Sequence, residues 1–336
     1  MVPINEAARS ACQSNARRDV ISGGREPRPQ LPVLTVNRFR RAGSAASRGT
    51  AVDDVCCTGN ESFVEGLIVM GKRTALITGA SGGIGREMAR TMAADGWNLV
   101  LVARNESKLQ ELAGELGGSE PGERRVSVRI ASIDLAQEDA ARRLVEFLSR
   151  ENIEVDALVN NAGLGDLSPF VDSDWEKNRL MIRVNIEALT ELTRLLVPSM
   201  ISRGGGYILN IASVASFQPG PLMAVYYATK AYVLSLSEAL SEELRSEGIG
   251  VTALCPGPTR SGFQETAGVE DVPVLNNRLM PSATSVARYG YRAMMRGRRV
   301  AIHGFLFRVL LVLSRVLPRI VVVRAVRRFQ TARSEA

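Results

Sequence analysis

The sequence contains a single histidine, His303, among its 336 residues. A mechanism or metal site that needs two histidines is therefore excluded, and a lone histidine near a strand more often serves structure than chemistry. The four cysteines, Cys12, Cys56, Cys57 and Cys255, lack the spacing of metal ligands. We expect neither a metal site nor a disulfide framework, and we expect a reducing, cytoplasmic compartment.

Acidic residues are missing from Val272 to Ser334, although the whole chain has 42 basic and 35 acidic residues and a net charge of +7. Lysine occurs only at positions 72, 108, 177 and 230, so nearly all of the positive charge is arginine. Arginine abundance alone does not indicate nucleic-acid binding, and no nucleic-acid partner is expected. The hydrophobic content of 45% is ordinary for a globular protein with a sizeable core.

Residues 1–69 are rich in Arg, Ser, Ala, Pro and Gly and show no sustained apolar period. This composition predicts a disordered extension. Two alternatives stay open. Met70 stands immediately before the first predicted strand, which fits a start codon assigned too far upstream, and the arginine-rich first half resembles an organellar transit peptide. Secretion is not expected.

From residue 72 onward, short apolar runs alternate with longer amphipathic segments. This alternation predicts a parallel sheet covered by helices on both faces. The predicted strands are 74–77, 99–103, 126–130, 157–159, 207–212, 251–255 and 300–302, and the predicted helices are 84–95, 106–116, 136–150, 175–201 and 226–246. We predict an α/β fold in which residues 70–304 form one doubly wound Rossmann domain with a seven-stranded parallel sheet, followed by an amphipathic helical segment, 305–336.

A glycine-rich turn lies where the first strand should pass into a helix, and it reads Thr78-Gly79-Ala80-Ser81-Gly82-Gly83-Ile84-Gly85. Gly79 permits a tight turn, while Gly83 and Gly85 allow the backbone to approach a pyrophosphate at the helix N-terminus. The strand–turn–helix context strengthens the prediction of a dinucleotide site.

The end of the second strand predicts which dinucleotide binds. A fold that prefers NAD usually places an acid there for the ribose 2′-hydroxyl. This chain has Arg104 and Asn105 instead, and an arginine can pair with a 2′-phosphate. We therefore expect NADP rather than NAD.

Tyr226 and Lys230 are four residues apart in a strongly helical stretch, so both lie on one helix face. A nearby ammonium lowers the pKa of a tyrosine from about 10, which lets it give or take a proton while a hydride moves. Tyr227 lies about 100° around the helix from Tyr226, so we expect it to pack or to line the pocket. Ser213 ends an apolar run thirteen residues upstream of Tyr226.

In this order and spacing, these residues resemble the short-chain dehydrogenase/reductase family over residues 72–262. The further motifs that carry the resemblance are Asp134-Leu135, Asn160-Asn161-Ala162-Gly163, Asn185 and Pro256-Gly257-Pro258-Thr259. The resemblance implies that Asn185, Ser213, Tyr226 and Lys230 are catalytic, with Asn185 anchoring a water in a proton relay. It implies cofactor contacts from Gly79, Ser81, Gly83, Ile84, Gly85, Arg104, Asp134, Leu135, Asn161, Ala162, Gly163, Tyr226, Lys230, Pro256, Gly257 and Thr259.

The expected function is NADP-dependent hydride transfer to or from a hydrophobic ketone or aldehyde, with Tyr226 as the acid/base. An NAD-linked alcohol dehydrogenase and a non-catalytic cofactor-binding sensor or scaffold stay open as alternatives. The segment from Gln264 to Asn277 is predicted to form a largely apolar flap over the substrate. The chain looks most like the 3-oxoacyl and hydroxysteroid reductases of the family, which implies a lipid-like substrate and a homodimer or homotetramer.

The segment that begins at Phe305 combines Leu and Val with Arg308, Arg315 and Arg319, which we predict on one helix face. It is too short and too charged to span a bilayer, which needs about 20 apolar residues. Three uses stay open: packing on the domain or a partner subunit, peripheral contact with a membrane surface, and closure of an acyl-chain tunnel.

Overall fold

Seven apolar runs form one parallel sheet in the computed structural model, which describes residues 73–117, 126–261 and 280–334. The predicted extension 1–69 and the predicted flap 264–277 lie outside the described residues. The strands are β1 (Thr74–Thr78), β2 (Asn98–Ala103), β3 (Val128–Ser132), β4 (Ala157–Asn160), β5 (Gly206–Ile211), β6 (Ile249–Cys255) and β7 (Val300–Ile302). Their order is β3-β2-β1-β4-β5-β6-β7, which confirms the predicted doubly wound, seven-stranded α/β fold.

The helices that accompany the sheet follow most of the amphipathic segments. They are α1 (Gly83–Ala94), α2 (Glu106–Leu116), α3 (Ala140–Arg150), α4 (Trp175–Ile182), α5 (Leu189–Ser202), α6 (Ala224–Glu243), α7 (Ala283–Met295), α8 (Phe305–Val316) and α9 (Arg319–Ser334). Helix α7 was not predicted, because its apolar stripe is diluted by Arg, Ser, Thr and Gly.

Successive strand residues enter two different apolar layers, which explains why the strands are apolar throughout. Ile77 is buried with Met88 of α1 and Met294 of α7, whereas its neighbour Leu76 is buried on the other face with Leu144 of α3. A parallel strand buried on both faces needs an apolar residue at every position rather than at alternate ones.

The strand order reverses between β1 and β4, which pair in register from Ala75 to Ile77. Connections from these strands leave to opposite sides, so a crevice opens outside their carboxyl ends. The two segments that follow the strands, Thr78–Gly85 and Asn161–Gly163, therefore meet at this crevice.

Two predicted helices are interrupted. The predicted helix 175–201 contains a π-helical turn, Arg183–Ala188, which carries Asn185. The prediction of one face for Arg308, Arg315 and Arg319 was wrong for Arg319, because α8 ends at Val316 and α9 begins at Arg319. Pro318 stands between them, where it cannot donate the backbone hydrogen bond that a continuous helix requires.

Candidate active site

Lys230 lies on the buried face of α6 with only 5% of its surface exposed. Its Nζ donates a hydrogen bond of 2.8 Å to the carbonyl oxygen of Ile211, at the end of β5, and lies 5.9 Å from the ring centroid of Tyr226. Burial lowers the pKa of Lys230 to about 8, although the nearby Cys255 acts in the opposite direction. The helix thus places beside the tyrosine a lysine whose ammonium has an unusually low pKa.

Cys255 ends β6 next to this ammonium and was not predicted as its neighbour. Burial, together with the charge of Glu238, raises the pKa of its thiol to about 12, although Lys230 acts in the opposite direction. The thiol is therefore neutral at physiological pH and contributes packing rather than a nucleophile.

Replacing Lys230 by Met should change how stability depends on pH. The pKa of Lys230 is about 8 in the folded chain against 10.5 normally, so between these values the unfolded chain binds more protons. The contribution of this group to the free energy of unfolding therefore rises from pH 8 to pH 10.5 and is lost as pH falls through 8.

The difference in unfolding free energy, wild type minus Lys230→Met, should grow by up to about 3 kcal/mol across that window. Urea unfolding at several pH values measures it. Cys255 titrates in both proteins, so its contribution largely cancels. A difference that stays flat from pH 8 to pH 10.5 would show that Lys230 has its ordinary pKa.

Both the oxygen and the nitrogen of the Asn185 side-chain amide form hydrogen bonds. Its Oδ1 accepts from the Leu164 backbone nitrogen at 2.8 Å, and its Nδ2 donates to the Leu164 carbonyl at 2.9 Å and to Thr229 Oγ1 at 3.0 Å. Thr229 in turn donates to the Tyr226 carbonyl at 2.8 Å. Asn185 therefore joins the loop after β4 to the first turns of α6, and the π-helical turn is the local distortion that carries it.

Gly163 lies between two predicted catalytic side chains. A Cβ at this position would stand 3.3 Å from Lys230 Nζ and 3.4 Å from Asn185 Oδ1. The structure thus brings together Asn185, Lys230 and the loop predicted to line the cofactor.

Ser213 caps a short 3-10 turn, Val214–Phe217, and its Oγ accepts from the Ala215 backbone nitrogen at 3.1 Å. Because the oxygen is used as an acceptor, the hydroxyl hydrogen can still be donated to a substrate oxygen. Ser216 completes a capping box, since its Oγ accepts from the Ser213 nitrogen at 3.3 Å and donates to the Lys230 carbonyl at 2.7 Å. Sequence reasoning missed Ser216, although the Ser-x-x-Ser spacing is a capping signal.

The glycine turn is tied to the loop after β4 by Thr78 and Asn161. Thr78 Oγ1 accepts from the backbone nitrogens of Asn161 and Ala162, each at 3.0 Å. Asn161 Nδ2 donates to the carbonyls of Thr78 and Gly79, at 2.8 and 3.1 Å. Thr78 was predicted only as part of the turn, and its hydroxyl proves to be the connection between the two crevice segments.

The glycines of this turn serve different purposes. Gly79 has a φ of +65°, which favours glycine, and a Cβ on Gly85 would lie only 2.4 Å from both Asn161 Nδ2 and the Gly79 carbonyl. The packing of α1 against the turn therefore requires a glycine at position 85.

The N-terminus of α1 has the shape of a dinucleotide cradle. Gly82 caps the helix, and a Cβ there would meet nothing within 4 Å, while Gly83 adopts a φ of +53°. Helix N-termini present backbone N–H groups and a partial positive charge to anions. These residues fit a pyrophosphate, with Ser81 and Ile84 half-buried beside them.

The remaining predicted cofactor residues line the same edge of the sheet. Arg104 is exposed just after β2, Asp134 Oδ1 accepts from the Ala136 backbone nitrogen at 3.0 Å, and Leu135 is buried. After β6, the Pro256 carbonyl accepts from the Val214 nitrogen at 3.0 Å. Thr259 Oγ1 donates to the Gly257 carbonyl at 2.8 Å, which tightens the loop.

Both C-terminal helices contact the edges of this site. The ring of Phe307 from α8 packs on Gly257, where a Cβ would stand only 2.3 Å from it. From α9, the fully buried Gln330 donates through Nε2 to the Tyr227 hydroxyl at 2.9 Å. The Tyr227 ring covers Gly220 and is edge-on to Tyr226, so it packs as predicted.

A recess lies beside Tyr226 between the loop after β4 and the start of α6. Its lining combines apolar and polar side chains. The apolar ones include Phe170, Met181, Leu222, Met223 and Val225, and the polar ones are Asp166, Ser168, Ser173, Asn178 and Tyr226. Its carboxylate, Asp166, accepts from Ser168 Oγ at 2.6 Å and pairs with Lys177 at 3.7 Å, so its charge is balanced. A larger cavity of about 750 Å³ lies at the opposite, amino ends of β1 to β3, away from these residues.

Within the described ranges, no three His, Cys, Asp or Glu side chains converge on a metal-sized site. Among those same residues, none of the helices combines the length and apolarity that crossing a bilayer requires.

Residues 73–271 match the family model for short chain dehydrogenases. The chain belongs to the short-chain dehydrogenase family. It is therefore an NAD(P)-dependent oxidoreductase that acts on the CH–OH group of donors or on the corresponding carbonyl.

Individual family members give the same assignment. The chain is 40% identical over 180 residues to a very-long-chain 3-oxoacyl-CoA reductase of Phaeosphaeria nodorum, covering 53% of this chain and 52% of that one. It thus spans about half the length of this curated relative.

Two solved structures are also similar. A short-chain dehydrogenase from Sphingobium yanoikuyae in complex with NADPH has a TM-score of 0.63 and 35% identity, covering 72% of this chain and 93% of that one. A bulky-bulky ketone specific alcohol dehydrogenase from Comamonas testosteroni has a TM-score of 0.61 and 33% identity, covering 72% and 92%.

Proposed function

We propose that this short-chain dehydrogenase is an NADP-dependent reductase of a hydrophobic ketone or aldehyde, with the alcohol as substrate in reverse. The observation that carries the proposal is the buried Lys230 ammonium beside Tyr226, in a member of a family of oxidoreductases. The same ammonium lies close to Asn185 and Gly163, on the crevice side of α6.

The residues that would hold NADP come from five segments at the carboxyl edge of the sheet. They are Gly79, Ser81, Gly83, Ile84 and Gly85 in the turn, Arg104 after β2, Asp134 and Leu135 after β3, Asn161 to Gly163 after β4, and Pro256, Gly257 and Thr259 after β6, joined by Tyr226 and Lys230. The bound nicotinamide supplies the hydride for a carbonyl carbon.

The protein's own part in the reaction is to stabilise charge and to move a proton. Negative charge grows on the substrate oxygen, and the hydroxyls of Ser213 and Tyr226 donate hydrogen bonds to it. Tyr226 then transfers its proton to that oxygen, and the Lys230 ammonium stabilises the phenolate that remains. Asn185 holds the loop after β4 against α6. It also anchors the water through which a proton returns to Tyr226.

Replacing Arg104 by Asp should shift the cofactor preference from NADPH toward NADH. Arg104 is exposed at the end of β2, where a guanidinium can pair with a 2′-phosphate and a carboxylate would repel it. We expect the ratio of kcat/KM for NADPH to that for NADH to fall by about tenfold or more. Steady-state kinetics with both cofactors measures this ratio.

Lys108→Asp is the matched control for this prediction. It makes the same charge change on the exposed side of α2, four residues away. The ratio should stay within about twofold of wild type, because surface charges contribute little unless they contact the ligand. If both variants change the ratio equally, general electrostatics and not a contact with Arg104 sets the preference.

A hydrophobic substrate is supported by the lining of the recess and by the surface around it. Phe170 lines the recess with 69% of its surface exposed, and Trp175, at the start of α4, exposes 66% of its surface. The names of the relatives, which include a long-chain acyl reductase and a bulky-ketone dehydrogenase, agree with this. A carbonyl series of increasing chain length tests it, since kcat/KM should rise with length; a preference for short polar carbonyls would contradict it.

The proposal places the enzyme in the cytoplasm as a homodimer or homotetramer, with residues 305–330 in peripheral contact with a membrane. Leu180, Leu195 and Tyr232, from α4, α5 and α6, each expose more than a third of their surface and support association through these helices. Multi-angle light scattering measures the mass directly, and a monomer would contradict this part.

A further inference from the structure

The outward faces of α8 and α9 form what we term the C-terminal surface. Large apolar side chains dominate its α8 half. Phe305 and Val316 each expose 80% of their surface and Val312 exposes 65%. The exposed set continues with Leu306 and Leu313 on α8 and with Ile320 at the start of α9. Contiguous apolar exposure of this kind marks an interaction site.

The exposure follows the helical period, so it is a face and not scattered residues. At about 100° per residue, the exposed apolar positions of α8 from Phe305 to Val316 fall within an arc of roughly 160°. Leu311 lies on the opposite side and is buried. An ordinary surface helix turns its apolar stripe inward; this helix turns the wider apolar face outward.

The outward side of α9 is basic. Arg324, Arg327 and Arg328 are exposed, and none of them takes part in an ion pair among the described residues. The chain has no Asp or Glu from Val272 to Ser334, so no acid of this segment can neutralise them. Along the chain, the apolar face of α8 is thus followed by a face of α9 with uncompensated positive charge.

The inward sides of both helices are attached to the domain, so the surface is a fixed feature of the fold. Arg308 donates to the Ile302 carbonyl at 3.0 Å and to the Tyr289 hydroxyl at 2.7 Å. Phe307 packs on Gly257 and Gln330 bonds to Tyr227.

We infer that the C-terminal surface docks on an anionic lipid surface, an inference that rests on the membrane contact in the proposed function and names the lipid chemistry. Apolar side chains enter the headgroup boundary, and arginines pair with lipid phosphate and carboxylate. A second copy of the chain is a poorer occupant, because a two-fold interface through this surface would bring the unpaired arginines of two subunits together. The same helices touch Gly257 and Tyr227, so docking would place the substrate side of the site at the lipid.

The test is co-flotation of the full chain with phosphatidylcholine vesicles, with and without about 30% phosphatidylserine, at low ionic strength. The variant Arg324→Glu/Arg327→Glu reverses two charges on the surface. Arg296→Glu/Arg298→Glu reverses two exposed charges beyond α7 and changes the net charge equally. Neither arginine forms an ion pair within the part of the chain that the structure describes. Val316→Glu is matched by Val171→Glu, which alters an 88% exposed valine on another part of the chain.

The inference predicts binding that requires phosphatidylserine and that falls by about tenfold or more in Arg324→Glu/Arg327→Glu and Val316→Glu, but by less than about twofold in the two controls. Equal losses in matched variants, binding independent of anionic lipid, or no binding would overturn it. So would an oligomer that Val316→Glu dissociates in the absence of vesicle binding.

NADPH-dependent turnover of a short soluble carbonyl should be unchanged in every variant. Absence of this turnover in wild type would contradict the proposed reaction and leave the docking result standing.

Discussion

Tyr226→Phe should lower kcat for carbonyl reduction by about a thousandfold while leaving NADPH affinity nearly unchanged. The substitution keeps the ring, which lies half-buried in the first turn of α6, and removes the proton donor and one hydrogen bond to the developing oxyanion. Steady-state turnover with a hydrophobic carbonyl gives kcat, and quenching of protein fluorescence by NADPH gives affinity.

Tyr227→Phe is the internal control, because it removes the same atom from the adjacent residue. Its hydroxyl bonds to Gln330, and its ring covers Gly220. We expect kcat within a few fold of wild type and a stability loss of about 1 kcal/mol for the lost hydrogen bond. Turnover that survives in Tyr226→Phe, or that disappears equally in both variants, would reject Tyr226 as the acid/base.

Gly85→Ala should lower the free energy of unfolding by about 3 kcal/mol, although it adds a single methyl group. That methyl would lie 2.4 Å from the Gly79 carbonyl oxygen, and backbone cannot move aside as a flexible side-chain end can. It would also lie 2.4 Å from Asn161 Nδ2, whose bonds join the turn to the loop after β4. Urea denaturation measures the loss.

Gly82→Ala is the matched substitution three residues earlier in the same turn. Its new methyl group meets nothing within 4 Å, and a φ of −168° suits any residue. The cost should be about 0.5 kcal/mol, as for alanine at a helix N-cap. Equal losses for the two variants would mean that the turn is not packed as described.

The fold was predictable because its strands are buried on both faces. Continuous apolar runs such as 251–255 leave little doubt about a parallel sheet, and their alternation with amphipathic helices fixes the class. Local departures from helical geometry were not predictable. The π-helical turn at Arg183–Ala188 contains no residue that marks it in the sequence. Its Asn185 bonds to Leu164 and Thr229 of other elements, and these contacts exist only in the folded chain.

Part of the candidate site was likewise predictable from the sequence, and part was not. The spacing of Tyr226 and Lys230 predicted their common face, since four residues make one helical turn. The burial that lowers the pKa of Lys230, and the neutral thiol of Cys255 next to it, depend on tertiary packing that no spacing records. The contacts of Phe307 and Gln330 with the site join positions far apart in the chain, and a helical pattern cannot reveal its partner.

The most direct test of the central claim follows the hydride itself. Purified protein is incubated with a hydrophobic ketone and with NADPH that carries deuterium in place of both hydrogens on C4 of the nicotinamide ring, and the alcohol is analysed by mass spectrometry. The account predicts an alcohol with one deuterium on the former carbonyl carbon, formed by wild type and Tyr227→Phe and nearly absent with Tyr226→Phe. Tight NADPH binding without transfer of deuterium to any hydrophobic ketone would contradict it.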